Sequence, residues 1–536
     1  MSTTSSPTAD ILPFQLPLCP ALPQVIGNKD YTDFEIQLER IDGLLRGSGV
    51  EALFVRLSLD ALRAEDREAG VELTDAHIAR HQEQSRLALR CEVLRELLMR
   101  PAYRVMSRRL AESALCRRFC GIGEIDRVRV PGKSRLQTYS TWLAPEAMRA
   151  VLDELLRSAG SEPGAARMGL EARIELNLVL LDSTCLKANI HFPTDWVLLR
   201  DAVRTLMKAT VLIRGRGICA RMESPGSFLA RMNKCCMAMA AAGRSPGSRK
   251  KKKAHLRQIK ALAKTIAAHA RRHRAALDER WAQTGWSRGQ TQQILRRIDG
   301  ILGQLPAAIK QAHERIIGER PVASAEKILS LYEKDLHVIV RGKAGAEVER
   351  VARQRPPKQR GADPAQQPEL QFGNTLLLGE NLDGIIVDHA LLRDTSPGDT
   401  RLLGESLARI EALRIGPVQG ISTDRGFASR ANSRLLGEKD IFDATCPRDP
   451  AKLTRRHRDD ALFAACQRRR AQTEARVGIL KNNFLSGQPR ARGYGRRAAA
   501  VDWAVLAHNL RVIARLPQAK ALKAPANDPP PALLAA

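Results

Sequence analysis

The stretch that most limits the fold is "IELNLVLLDST", residues 174–184. It is a largely apolar run ending in an acid, which reads as a buried strand. Further strand patterns are absent until "DLHVIVRG" (335–342) and "NTLLLGENLDGIIVDHALL" (374–392). Within the second of these, Asp383-Gly384 between apolar runs is a hairpin turn signal. A helical pattern in "TRLLGESLARIEAL" then leads to "PVQGISTDRGF", a strand ending at Asp424. The helix "SRANSRLLGEKD", the short strand "IFDATCP", a helix carrying Glu474 and a last helix over 496–516 follow. This alternation predicts an α/β fold: a mixed sheet flanked by helices, its first strand separated from the rest by a long helical insertion.

Domain boundaries follow from the same pattern. At roughly 100–200 residues per domain, a chain this long holds two to four domains. Residues 1–34 read as a loose segment and 35–165 as a helical domain, with Pro101, Gly121 and Pro145 interrupting its helices. Residues 170–195 and 331–516 form the sheet-containing core, with an exposed Pro-, Gln- and Arg-rich loop at 353–369. Residues 196–330 are the basic helical insertion, with a break expected near Pro306, and 517–536 read as a disordered tail.

Charge narrows the partners. The formal net charge is +29, which favours a polyanion, because each phosphate neutralised releases counterions. A membrane surface is the competing polyanion, but no apolar run of 18 or more residues is present, so no membrane span is expected. The N-terminal sequence lacks the charged, apolar, small-residue order of a signal peptide, and an intracellular location is expected. The clustered bases and short helices of 35–165 suit a helix-turn-helix-like DNA-binding unit and a plain bundle with a solvated basic face about equally well. Lys250, Lys251, Lys252 and Lys253 open a basic helix with Leu256, Ile259, Leu262 and Ile266 on one side, and we assign that run to phosphate binding. The ten cysteines are too sparse for a disulfide scaffold and lack zinc-site spacing. A phosphate-binding Gly-x-x-x-x-Gly-Lys-Ser/Thr loop is also missing.

Three acids carry the chemical signal. Asp182 and Asp424 are expected at strand ends, where an α/β sheet presents its chemistry, and Glu474 on a later helix. If they converge, three carboxylates supply the oxygen ligands that Mg²⁺ prefers. Two such ions about 4 Å apart activate a water or 3′-hydroxyl and stabilise the leaving oxygen of a phosphodiester. In "RRRAQTEARVGILKNN" (468–483) and the residue before it, Gln467, Arg470, Glu474 and Lys481 return to one helical face. The plain alternative is an i,i+4 Arg470–Glu474 pair on a solvated surface.

These blocks resemble bacterial insertion-sequence DDE transposases. Their C-terminal signature is Tyr, two residues, Arg, three residues, Glu, six residues, Lys; Arg470, Glu474 and Lys481 fit its spacing, while Gln467 stands where the Tyr would be. "STDRGF" is similar to the second-acid block, "LLDSTCLKANIHFPTDWVLLRDAVRTL" to the first-acid block, and "YRVMSRRLAESALCRRFCGI" to the N-terminal helical domain. The resemblance spans roughly residues 85 to 515, with the four blocks in order. It implies a ribonuclease-H-like core with Asp182, Asp424 and Glu474 as catalytic metal ligands for Mg²⁺, which Mn²⁺ can replace. Arg470 and Lys481 would hold DNA. It further implies binding of terminal inverted repeats and target DNA, a homodimer on DNA, and a cytoplasmic, nucleoid-associated location. The rival expectations are a structure-specific nuclease on the same core without strand transfer, and a DNA-binding derivative without catalysis. Asp195, Asp201 and Asp388 are read as structural, and His508 as packing.

Overall fold

The computed structural model describes residues 21–70, 72–123, 127–242, 247–341, 369–394, 397–485 and 492–518. Eight helices come first: α1 (Lys29–Gly47), α2 (Val50–Ala69), α3 (Asp75–Leu97), α4 (Tyr103–Glu112), α5 (Ala114–Cys120), α6 (Lys133–Tyr139), α7 (Pro145–Gly160) and α8 (Glu162–Arg167). The punctuation predicted from sequence is present. Pro101 lies between α3 and α4, Gly121 caps α5 in the left-handed region (φ 70°), and Pro145 opens α7. Residues 29–34 of the segment expected to be loose are helical, since α1 begins at Lys29, where the Asn28 side chain accepts a hydrogen bond from the Tyr31 amide. Residues 1–20 of that segment lie outside the described residues.

Strand β1 (Val179–Lys187) opens a six-stranded mixed sheet with β2 (His337–Arg341), β3 (Glu369–Glu380), β4 (Ile386–Leu391), β5 (Gly420–Thr423) and β6 (Phe442–Asp443). The order across it is β2–β3–β1–β5–β6, with β4 also on β3. β3 is antiparallel to β1, β2 and β4, whereas β5 is parallel to both β1 and β6. The expected hairpin turn joins β3 to β4. Gly384 sits there at φ +83°, a backbone conformation that favours glycine, with the Arg476 guanidinium packed against it. The loop expected at 353–369 lies outside the described residues up to 368, and Glu369 is already in β3.

Between β1 and β2 stand α9 (Asp195–Arg214), α10 (Pro225–Ala242), α11 (Ser248–Arg280) and α12 (Arg288–Ala312). They bury their own apolar cluster, including Leu206, Phe228, Ile259, Ile266, Ile298 and Leu305. The break expected at Pro306 does not occur: α12 runs through it. Proline forfeits one backbone hydrogen bond, but its neighbours Leu305 and Ala308 are buried in the cluster and hold the helix in line.

After β4 come α13 (Asp399–Glu411), α14 (Arg430–Glu438), α15 (Pro450–Asp459), α16 (Ala461–Ile479) and α17 (Tyr494–Ile513). The boundary expected near residue 165 is not a break in the core. Buried residues of α1 to α7 share one apolar cluster with Val179 and Leu181 of β1, with Leu402 and Leu407 of α13 and with Leu506 and Leu510 of α17. The opposite face of β1 presents Leu180, which packs with Ala444, Phe463 and Cys466 beneath α16. Beyond α17, the Pro517 carbonyl accepts from the Glu171 amide and Gln518 bridges Leu170, so these two residues of the expected tail are tied to the fold; residues 519–536 lie outside the described residues.

Candidate active site

Parallel pairing of β1 with β5 sets the site. Leu180 pairs with Ser422 and Leu181 with Thr423. The next residue on each strand is an acid: Asp182 and Asp424. Neighbouring strands lie roughly 5 Å apart, so these two carboxylates start from adjacent backbone positions. Both are half-buried. Asp182 accepts from the Ser183 amide at 2.7 Å, and Asp424 accepts from the Gly426 amide at 2.8 Å. Asp424 directly follows β5, as predicted. Asp182 does not end its strand, because β1 continues to Lys187. Pairing with β3 runs on through Lys187↔Gly373, which carries the strand past the point where the apolar run stops.

The helix bearing Glu474 packs across β1 and β5. Its grip is specific. Gln467 donates its amide to the Ala444 carbonyl at 2.5 Å and reaches Ser422 Oγ at 3.5 Å. Arg476 pairs with Glu380 at 2.8 Å, beside the Gly384 turn. Burial pushes the Glu380 carboxyl above its usual range, and Arg476 only partly offsets this. Past α16, a wider π turn (Leu480–Phe484) brings Lys481 to Thr184 Oγ1 at 3.1 Å. Thr184 and Asp182 share one face of β1, because strand side chains alternate. Gln467, at the position of the signature tyrosine, therefore anchors the helix to the backbone of β6's exit.

Glu474 is exposed and makes no hydrogen bond or ion pair among the described residues. The plain Arg470–Glu474 pair is thus not formed; Arg470 is half-buried and likewise without such a partner. The expected convergence of three carboxylates is incomplete. Among the described residues there is no group of three His, Cys, Asp or Glu placed to hold a metal ion. Asp182 and Asp424 are oxygen donors that start from neighbouring strands, and Glu474, exposed on α16, does not join them.

Sequence reasoning missed Asp399, the first residue of α13. It accepts from Ser183 Oγ at 2.7 Å, and a Cβ on Gly426 would sit 2.5 Å from its Oδ2 and 2.9 Å from Asp424 Oδ1. The absent side chain at Gly426 lets the two acids approach each other. No spacing rule flags Asp399, which in sequence is an ordinary acid at a helix start.

Asp195 and Asp388 are both buried and paired with arginine. Asp195 ties α9 to Arg315 at 2.8 Å and to Gln311 at 2.8 Å. Burial of Asp388 is outweighed by Arg409, Ser406 and Arg149, which hold its carboxyl below the usual range. His508 is buried against Phe484 and hydrogen-bonded to the Gly384 carbonyl; burial drives it down to about 4. In the lysine run, Lys250 and Lys251 are exposed, whereas Lys253 pairs with Glu319 at 2.9 Å and is only partly available to an external anion. Among the described residues no helix is long and apolar enough to cross a membrane. No family model, curated protein or solved structure matches the chain.

Proposed function

We propose that the chain is a DDE-type DNA transposase. It would bind the inverted repeats at the ends of its element, cut a strand at each end and join the freed 3′-hydroxyl to target DNA. The observation that carries this reading is the juxtaposition of Asp182 and Asp424 on neighbouring parallel strands beneath the helix of Glu474. Two further features support it. The strand order, an antiparallel hairpin on one side of β1 and two parallel strands on the other, agrees with a ribonuclease-H-like core. The site also lies in a chain of net charge +29, suited to a polyphosphate.

In this reading Asp182 and Asp424 would hold Mg²⁺ or Mn²⁺, with Glu474 as the third carboxylate that the resemblance implies. The metal supplies activation of the attacking oxygen and charge neutralisation at the phosphodiester. The chain's own residues position the substrate. Lys481, anchored on Thr184, places a fixed positive charge on the Asp182 face, and Arg470 on α16 meets an adjacent phosphate. A homodimer, with one protomer for each DNA end, belongs to the same proposal.

A second reading, a DNA-binding derivative without catalysis, rests on the exposure of Glu474 outside any metal-sized group. One experiment separates the two. Purified protein is incubated with Mg²⁺ and a labelled duplex carrying the inverted repeats that flank its coding sequence. Nicking at the repeat boundary followed by strand joining supports the transposase. Nicking without joining indicates a nuclease, and binding alone indicates the inactive derivative.

A further inference from the structure

Where β1 leaves the sheet, residues 189–193 pass over a cleft between the core and the helical insertion, with a volume of about 280 Å³. Its walls come from α9, α12, the chain returning from the insertion and the turn into α17. Four cations line it: Arg204 and Lys208, one turn apart on α9, Arg297 of α12, and Arg492. All four are exposed, and none makes a hydrogen bond or ion pair among the described residues. The two acids in the lining are already engaged. Glu333 is held by Arg497 and the Gly493 amide, and Asp201 lies 3.6 Å from Arg200. The cleft is therefore a concentration of uncompensated positive charge.

Its rim carries an aromatic ring that packing does not explain. Phe192 is 68% exposed. It touches Phe372 edge-on, with ring centroids 5.4 Å apart, which leaves a ring face open. Solvent-facing aromatics beside cations are the elements with which proteins hold unpaired nucleotides: the ring stacks on a base and the cations track the backbone. Size sharpens the choice, since 280 Å³ lies just below the range of small-molecule pockets and cannot admit a duplex.

We propose that this cleft binds an unpaired nucleotide of a DNA strand, its base stacked on Phe192 and its flanking phosphates met by Arg204, Lys208, Arg297 and Arg492. The inference rests on the DNA-transposase reading and adds a subsite to it. Because the loop over the cleft continues directly from β1, a strand seated here would be registered against Asp182 by the same strand that carries that acid.

The test uses the full chain with two fluorescent probes, a twelve-nucleotide oligo-dT and a blunt 30-base-pair duplex. Phe192→Ala should weaken oligo-dT binding on the order of ten-fold and leave duplex binding within about two-fold. Phe192→Trp, which keeps a stacking ring, should retain the affinity. Arg204→Gln with Lys208→Gln should lower the salt slope for oligo-dT by about 0.7 for each phosphate that is no longer neutralised. Thermal melts confirm folding, and an exposed ring makes Phe192→Ala a mild change. Unchanged oligo-dT affinity in these variants, with the parent protein still binding duplex, overturns the cleft and leaves the transposase reading intact. Equal weakening of both probes by Phe192→Ala also overturns it. If the parent binds neither probe, the cleft and the DNA reading fall together.

Discussion

Lys481 Nζ lies 3.1 Å from Thr184 Oγ1, which ties the turn after α16 to the face of β1 that bears Asp182. Lys481 thus lies against the Asp182 face of the sheet. Lys481→Ala should reduce DNA cleavage at least ten-fold, and Lys481→Arg should restore part of it. Thr184→Val, which removes only the anchor, should leave cleavage within a few-fold. Gel-resolved nicking rates on end-repeat duplex compare the three.

On the transposase reading, Asp424→Asn should abolish Mg²⁺-dependent nicking while DNA affinity stays within a few-fold, since that reading has the carboxylate serve the metal and not the phosphate. Normal nicking by a folded Asp424→Asn protein would remove this acid from the site.

Glu474 separates folding from chemistry more cleanly. Because it is exposed and unbonded, Glu474→Gln should shift Tm by less than about 2 °C. If it completes the metal site on DNA, nicking should fall by several orders of magnitude in the same protein. Arg470→Ala should instead weaken DNA placement and leave measurable turnover.

The lysine run divides by its surroundings. Replacing Lys250, Lys251 and Lys252 with Ala should lower the salt slope of log K by up to about 0.9 for each phosphate that is no longer neutralised, equally on specific and non-specific duplex. Lys253→Ala should contribute least, because that ammonium already faces Glu319. Titrations across a range of salt concentrations, with one variant at a time, decide this.

Two buried groups give stability opposite pH dependences. His508 is driven by burial from 6.5 to about 4 in the fold, so the unfolded chain binds its proton first, and stability falls as pH drops from about 6.5 to 4. The effect amounts to at most about 3 kcal/mol. Glu96 is raised by burial from 4.5 to about 7, so its contribution is lost as pH rises through that window. His508→Asn should remove this loss, so the wild-type minus variant difference, measured by urea unfolding between pH 4 and 7, should shrink as pH falls. A difference that does not vary with pH would show that His508 titrates normally.

Much of the fold was legible in the sequence because it is written in local chemistry. Gly121 and Gly384 mark a cap and a turn that need positive φ, and the apolar runs at 174–184 and 374–392 mark the central strands. What misled was tertiary. Pro306 looks like a break until the buried neighbours that straighten α12 are known. Asp182 looks like a strand end because the apolar pattern stops there, yet β3 continues to pair five residues further. Nothing in the N-terminal helical pattern reveals that those helices share their core with the sheet. Of the three acids expected to converge, Asp182 and Asp424 follow paired positions on neighbouring strands; the exposure of Glu474 and the approach of Asp399 to Asp424 depend on helix placement and on the missing side chain of Gly426.

The separate apolar cluster of α9 to α12 bears on how the chain finds its fold. β1 must pair with β3 across an excursion of nearly two hundred residues, and closing a loop that long costs entropy before any strand pairing offsets it. A bundle that condenses early on its own apolar cluster joins Asp195 to Arg315 and so shortens the loop left to close. On this view the insertion is a kinetic device, and deleting it would slow or misdirect sheet assembly even where no residue of the candidate site is touched.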